Sequence, residues 1–275
     1  MIIDAHTHLT KLKSSIYSES YENNLDLLLR EVGDSGVGHV VVLAGIGKTE
    51  TIDIDTGTLV KLSAGHENVS VIAGMDIGYT AEDLVELEGW VEKGKIVGIK
   101  FYPGYQYFYP SDERCKPIFD IALRYDVPVI FHSGNTAGPA GYMGNSKVKY
   151  AMPIHVDDVA SDFPELKIII AHIGNPWLID CGEVLYKNPN VYADISGLFD
   201  RESFDGPPEE LQILARKIKE MLVYVGSEKK LLFGTDWPHG PIKPHVEFAK
   251  SLGLSQEGQD HMFYKNATEL FKIKI

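Results

Sequence analysis

His6 and His8 lie one residue apart in IIDAHTHL, residues 2–9, where they close the first apolar run of the chain. In a β-strand successive side chains point to opposite faces, so the two imidazoles project from one side. Two imidazoles held side by side suit one cation, although an isolated His-x-His is equally the polar end of a strand. Four later stretches carry side chains of related chemistry: IVGIKFYP brings Lys100, VPVIFHSG brings His132, KIIIAHIG brings His172 and LLFGTDWPHG brings Asp236. Histidine and carboxylate ligands with one position left open form the donor set of a catalytic divalent ion. Each residue alone has an ordinary explanation, as a helix cap, a satisfied strand end or a snorkelling lysine. The question is whether one fold gathers them.

The elements that would do so are short Val/Ile-rich runs at 2–7, 39–43, 69–75, 96–102, 127–131, 167–171, 191–195 and 230–234. Between them, apolar residues recur at helical spacing, as in Leu25, Leu28, Leu29 and Val32, or Ile118, Ile121, Ala122 and Tyr125, and later over 156–163, 177–185, 211–225 and 245–252. Strands apolar on both faces and alternating with helices make a parallel sheet covered by helices. Eight such units predict an α/β fold, a single-domain (β/α)8 TIM barrel over 1–275, which typically needs about 250 residues. An open doubly wound sheet would carry a glycine-rich phosphate loop after its first strand, where HTHL stands instead.

In such a barrel the reacting groups sit at the carboxyl ends of the strands. His6, His8, Lys100, His132, His172 and Asp236 all fall at that end, on strands that a closed barrel wraps around one axis. Five other histidines do not: His39 opens the second strand at the opposite end, and His66, His155, His245 and His261 fall in helices or at their termini. His239, three residues past Asp236, is open to either reading, as a support behind the site or as a plain loop residue.

Bulk properties narrow the function. A formal net charge of −13 repels a phosphate backbone, so nucleic acid is not an expected partner. Two cysteines, Cys115 and Cys181, are too few for a disulfide framework and are expected as reduced thiols in helices. No apolar stretch approaches the ~20 residues of a membrane span, and no basic leader precedes the strand that starts at Ile2, so a cytoplasmic protein with no membrane partner is expected.

With these residues in place, the sequence resembles the amidohydrolase superfamily, and within it the amidohydrolase-2 branch that also holds aminocarboxymuconate-semialdehyde decarboxylase-like enzymes. The resemblance rests on IIDAHTHL, GIKFYP, DVPVIFHSG, IIIAHIGNPW, NVYADISG, LLFGTDWPHG and FYKNATELF, which occur in the family's order. It implies that His6, His8, His132 and Asp236 bind a divalent metal, Zn²⁺ first and Mn²⁺ as the alternative, with His172 close by. In two-metal members a carboxylated strand-four lysine bridges the ions, a role open to Lys100, and the strand-six histidine, here His172, binds the second. In one-metal members the amine stays cationic for a substrate carboxylate, while His172 polarises or protonates the substrate. One ion is favoured, because the match lies in that branch.

The reaction expected first is hydrolysis of an amide, lactone or ester of a small molecule. A metal-bound water whose pKa falls towards ~7 would attack, Asp236 would shuttle its proton and His172 would stabilise the oxyanion. Loss of CO2 from a small carboxylated substrate at the same site is the alternative. Substrate contacts are expected from Lys100, Arg201, Trp177, Tyr102 and Trp237. The segment 133–152 is expected as a cover, and half of the aromatic run FYPGYQYFYP as a pocket wall. A TatD-type nuclease would carry Glu at the strand-four end, the polymerase-and-histidinol-phosphatase family would recruit more ligands, and a scaffold protein would have lost one. Homodimerisation fits such barrels, but one sequence shows no interface.

Overall fold

The structure is a computed structural model that describes residues 1–11, 18–46, 53–136, 146–200 and 208–274. Eight strands, β1 (Ile3–His8), β2 (His39–Leu43), β3 (Val69–Gly74), β4 (Gly98–Phe101), β5 (Val129–Phe131), β6 (Ile168–Ile170), β7 (Val191–Asp194) and β8 (Leu231–Leu232), form one sheet in chain order. Each pairs in parallel with the next. Ala5 N donates to Phe233 O, Asp236 N to His6 O and His8 N to Trp237 O, which ties the last strand back to the first. The molecule is a (β/α)8 TIM barrel.

The helices α1 (Tyr21–Asp34), α2 (Thr56–Leu62), α3 (Ala81–Glu92), α4 (Lys116–Tyr125), α5 (Val156–Asp162), α6 (Leu178–Lys187), α7 (Pro208–Val225) and α8 (Ile242–Ser251) follow the strands in turn. Their starts obey local chemistry. Ser20 caps α1, Asp55 caps α2, and Thr80 with Asp83 forms a capping box on α3. Two short helices follow, α9 (Gln256–Asp260) and α10 (Asn266–Phe271). Cys115 and Cys181 are buried free thiols. Among the described residues, no helix is long and apolar enough to cross a membrane.

Strand alternation divides the core in two. Val40, Val42, Ile99, Phe101, Val129, Phe131, Ile168 and Ile170 face the helices. Ile3, Val41, Leu43, Ile72, Ile130, Ile169 and Leu232 fill the barrel interior, where α10 adds Leu270 and Phe271. The FYKNATELF stretch thus supplies part of the inner core.

Three strand ends differ from the sequence-based expectation. The pairing of β1 with β2 shifts register between Asp4 and Thr7, a bulge that sets two residues against one. Thr7 therefore pairs with outward Val42 and His8 with inward Leu43, although strict alternation from Ile3 would send His8 outward. β6 stops at Ile170, and His172 (φ 58°) and Ile173 (φ 49°) take left-handed backbone. That turn brings inward a histidine that alternation from Ile169 and Ala171 would point at the helices. β8 has two residues rather than five, because the chain leaves the sheet towards Asp236, itself at φ 63°. Non-glycine residues in this region cost about 1–3 kcal/mol each, and such positions cluster at functional sites.

Candidate metal centre

The orientation of each imidazole follows from what its second nitrogen touches. His8 Nδ1 lies 3.1 Å from the carbonyl oxygen of Leu43, which only accepts, so the proton is on Nδ1. His6 Nδ1 donates to Asp194 Oδ2 at 2.8 Å. Both Nε2 atoms therefore carry lone pairs, and they face each other at 3.3 Å. Asp236 Oδ1 completes the group, 3.7 Å from His6 Nε2 and 3.5 Å from His8 Nε2. Two facing lone pairs and a carboxylate oxygen repel unless a cation lies between them, and ligand atoms ~2.0–2.2 Å from a Zn²⁺-like ion have such spacings. The three residues fit a divalent metal.

His6, His172 and Asp194 also approach one another closely, but these atoms are already joined by hydrogen bonds. Asp194 Oδ1 accepts from His172 N at 3.0 Å, Ser196 N at 3.1 Å and the Ser196 hydroxyl. Having given its proton to Asp194, that hydroxyl accepts from His172 Nδ1 at 2.9 Å. Asp194 thus fixes His6 and His172 together, as a carboxylate behind a metal-ligating histidine does. Nε2 is the uncommitted nitrogen of His172, whose ring lies 4.8 Å from that of His6 and 5.1 Å from that of His132.

Burial sets the protonation states. It lowers His8 to about 3 and His172 to about 4, and takes His132 well below its usual value, against the pull of Asp236. All three are neutral imidazoles at pH 7. Burial alone would raise Asp194 and Asp236, but the surrounding histidines hold both well below the usual carboxylate range. Asp4 sits behind His6 and accepts from Thr235 N, Thr235 Oγ1 and His6 N, yet burial raises it to about 7.

A pH dependence of the metal-free protein follows. The depressed histidines contribute stability above the unfolded value near 6.5, which is lost as pH falls towards 4. Asp4 acts oppositely, and the low carboxylates add to the loss below about 4. The melting temperature of metal-free protein is expected to fall between pH 7 and pH 4; an unchanged melt would contradict neutral buried imidazoles.

Two glycines make room for these groups. A Cβ on Gly234 would lie 2.9 Å from His6 Cβ and 3.0 Å from Ser196 Cβ; one on Gly197 (φ 61°) would lie 2.8 Å from His172 Nδ1. Gly234→Ala is expected to displace His6 and cost at least tenfold in metal affinity, measured by competition with a chromogenic chelator.

The remaining expected site residues divide. Lys100 points into the barrel, 1% exposed, and among the described residues its Nζ has no hydrogen-bond partner. Burial lowers it to about 8, against the fields of Asp194 and Asp236. His132 borders the cluster, with Nε2 on Asn135 O at 3.1 Å, but its nitrogens lie outside the 4.8 Å shared by the His6, His8 and Asp236 ligand atoms. Tyr102 is buried, with its hydroxyl on Ala44 O and its ring 5.6 Å from Lys100 Nζ. Trp177 is half-buried at the start of α6. Trp237 does not line a pocket: it is fully buried in the layer between barrel and helices, and its indole N–H donates to Glu31 of α1. The left-handed turn at Asp236 sends the next side chain outward. Arg201 lies outside the described residues, as do 137–145 of the expected cover.

Of the aromatic run, Tyr105 packs on His132, Phe108 is core, Tyr107 stacks on Tyr150 and Tyr109 meets the same ring at a tilt. Asp194, Ser196 and Asp4 were missed as site residues. Asp194 ends β7 as the other candidates end theirs, and the same positional test applied to that strand would have found it.

A family model described as amidohydrolase matches residues 3–273. Gamma-resorcylate decarboxylase of Polaromonas sp. (strain JS666 / ATCC BAA-500) is 22% identical over 191 residues, covering 57% of this chain and 54% of that protein. The chain thus spans about half the length of the curated relatives it matches. Among solved structures, an uncharacterized TIM-barrel protein, Bb4693, from Bordetella bronchiseptica superposes with a TM-score of 0.73 at 20% identity, over 98% of each chain. A dihydroxybenzoic acid decarboxylase from Polaromonas sp. JS666, with bound manganese and the inhibitor 2-nitroresorcinol, superposes with a TM-score of 0.67 at 15% identity, over 98% of this chain and 96% of that one. At these identities the structural likeness establishes the shared fold.

Proposed function

The chain belongs to the amidohydrolase family, and from that premise we propose that it is a divalent-metal-dependent decarboxylase of a small hydroxylated aromatic carboxylic acid. The sequence alone placed hydrolysis first. The chemistry of the decarboxylases it resembles reverses that order, and the manganese in one of them favours Mn²⁺ over Zn²⁺.

The observation that carries this reading is Lys100, buried beside the metal cluster with its Nζ unpartnered. A buried ammonium with no hydrogen-bonded anion is costly, and Asp194 and Asp236 offset that cost only through their fields. An acidic substrate supplies that anion, whereas a neutral amide or ester does not.

His6, His8 and Asp236 would hold the ion, which supplies Lewis-acid stabilisation of negative charge on the substrate. Decarboxylation moves the electron pair of the breaking C–C bond into the ring, and a proton takes the place of CO2 on the carbon. Lys100 therefore serves best against a ring oxygen: pairing with the departing carboxylate would stabilise the ground state rather than the transition state. His172, fixed through Nδ1 on Ser196, delivers the proton from Nε2. The arriving anion raises the pKa of this imidazole, so substrate binding loads the acid.

The test is a turnover screen of Mn²⁺-loaded protein on 2,6-dihydroxybenzoate and related hydroxybenzoates, with amides, lactones and esters alongside. CO2 release from the hydroxybenzoates is expected. Hydrolysis without CO2 release would overturn the reading. Lys100→Met is expected to lower kcat for the acid by about tenfold or more, with a smaller change in KM, while the metal stays bound. Intact mass and ¹³C spectra should show Lys100 uncarboxylated.

A further inference from the structure

A cavity with a volume of about 860 Å³ lies apart from the metal centre. None of His6, His8, His132, His172, Lys100 or Asp236 lines it. It opens beyond the ends of β2 and β3, and its walls come from the start of α1, the start of α2 and the inner side of α3. Its size falls within the usual range of small-molecule sites, about 300–1,000 Å³.

Two features of the lining are independent of each other. One is charge. Asp53, Asp55, Asp76, Asp83 and Glu86 stand against a single cation, Lys11. Several of these have local duties, since Asp55 caps α2, Asp83 closes the capping box of α3 and Asp76 accepts from Gly78 N. Acidity alone is therefore what helix starts at this face produce.

The second feature is aromatic: three rings that pack against the hydrophobic core with part of their surface also face this space. Three aromatic rings, Tyr21, Tyr79 and Trp90, come from three separate elements and border the same space, with Ala73 and Met75 also lining it. Tyr79 is fixed through its hydroxyl on Arg114 O. Aromatic faces attract cations, most strongly where carboxylates deepen the local negative potential. The chain's own ammonium already behaves in this way: Lys11 Nζ lies 4.2 Å from the centroid of the Tyr21 ring. The Tyr21 phenol is held above its usual value, first by burial and then by Asp53 and Asp55.

We propose that this aromatic and acidic cavity binds an aliphatic polyamine, with its ammonium groups against the Tyr79 and Trp90 rings and the Asp76 and Glu86 carboxylates, beside the Tyr21 ring that Lys11 already covers. A polyamine places several positive charges on a flexible apolar chain, which matches a lining that holds both rings and carboxylates. The dimensions suit a small molecule rather than a basic peptide. The inference is independent of the reaction at the metal centre.

Titration calorimetry of the metal-loaded protein with spermidine tests it, at low and at raised salt. One saturable site is expected. Trp90→Leu and Glu86→Gln should each weaken it by about three- to tenfold, while Trp90→Phe, which keeps a ring, should bind nearly as wild type. Thermal melts of each variant separate lost binding from lost folding. A linear, unsaturable response would overturn the proposal, as would equal affinity in all four proteins, because diffuse attraction to an acidic chain predicts both. Binding of a lysine-rich peptide through the same residues without spermidine binding would also overturn it.

Discussion

Protein stripped of metal is expected to release no CO2 from 2,6-dihydroxybenzoate, and added Mn²⁺ is expected to restore turnover with one ion per chain. The stoichiometry follows from hydrogen bonding. His6 Nε2, His8 Nε2 and Asp236 Oδ1 converge without a proton among them, whereas His6 Nδ1, His172 Nδ1 and the Asp194 oxygens are already paired with protons. His8→Ala removes one of three converging ligands, and both bound metal and turnover should fall by about 10³-fold or more. Asp236→Asn separates two roles. It keeps an oxygen donor but loses charge, so retained metal with lost turnover would place Asp236 in proton movement as well as in ligation. Full activity after exhaustive chelation would sink the metal centre. Two ions per chain would show that the hydrogen-bonded group around Asp194 opens to take one.

Asp194→Asn is expected to be the most damaging change at a residue that does not touch the substrate. The carboxylate accepts four hydrogen bonds, from His6 Nδ1, His172 N, Ser196 N and the Ser196 hydroxyl. An amide offers one oxygen and a pair of N–H donors, so a donor would have to face either the His6 Nδ1–H or the cluster around Oδ1. His6 would then turn or change tautomer, which removes its Nε2 lone pair from the metal. Loss of a buried charged partner of this kind costs about 3–5 kcal/mol of stability. Metal affinity should fall by roughly 10–100-fold. A melting curve in excess metal and a chelator competition together check this. Wild-type metal affinity in a stably folded Asp194→Asn protein would show that Asp194 does not orient His6.

Much of this was legible in the residues. The alternation of apolar strands with helices predicts eight parallel strands, and the rule that chemistry collects at strand carboxyl ends picks out His6, His8, His132, His172, Lys100 and Asp236 from a chain of 275 residues. Both rest on local periodicity and chain order, which a sequence states directly. Trp237 shows the limit: its place beside Asp236 made it look like a pocket residue, yet it packs against α1. Neighbours in sequence share a face only while the backbone stays regular, and the left-handed turn at Asp236 ends that regularity.

What the sequence determined by itself is therefore the barrel, the end of it that carries the chemistry and the residue types gathered there. The tertiary structure decided which of their atoms converge. The bulge in β1 turns His8 inward, the left-handed turn at His172 brings in a side chain that alternation points outward, and Asp194, 188 residues after His6, sets which nitrogen of His6 bears the proton. Periodicity fixes the direction of a side chain only through its nearest neighbours. The position of a proton depends on a partner brought close by the closed sheet.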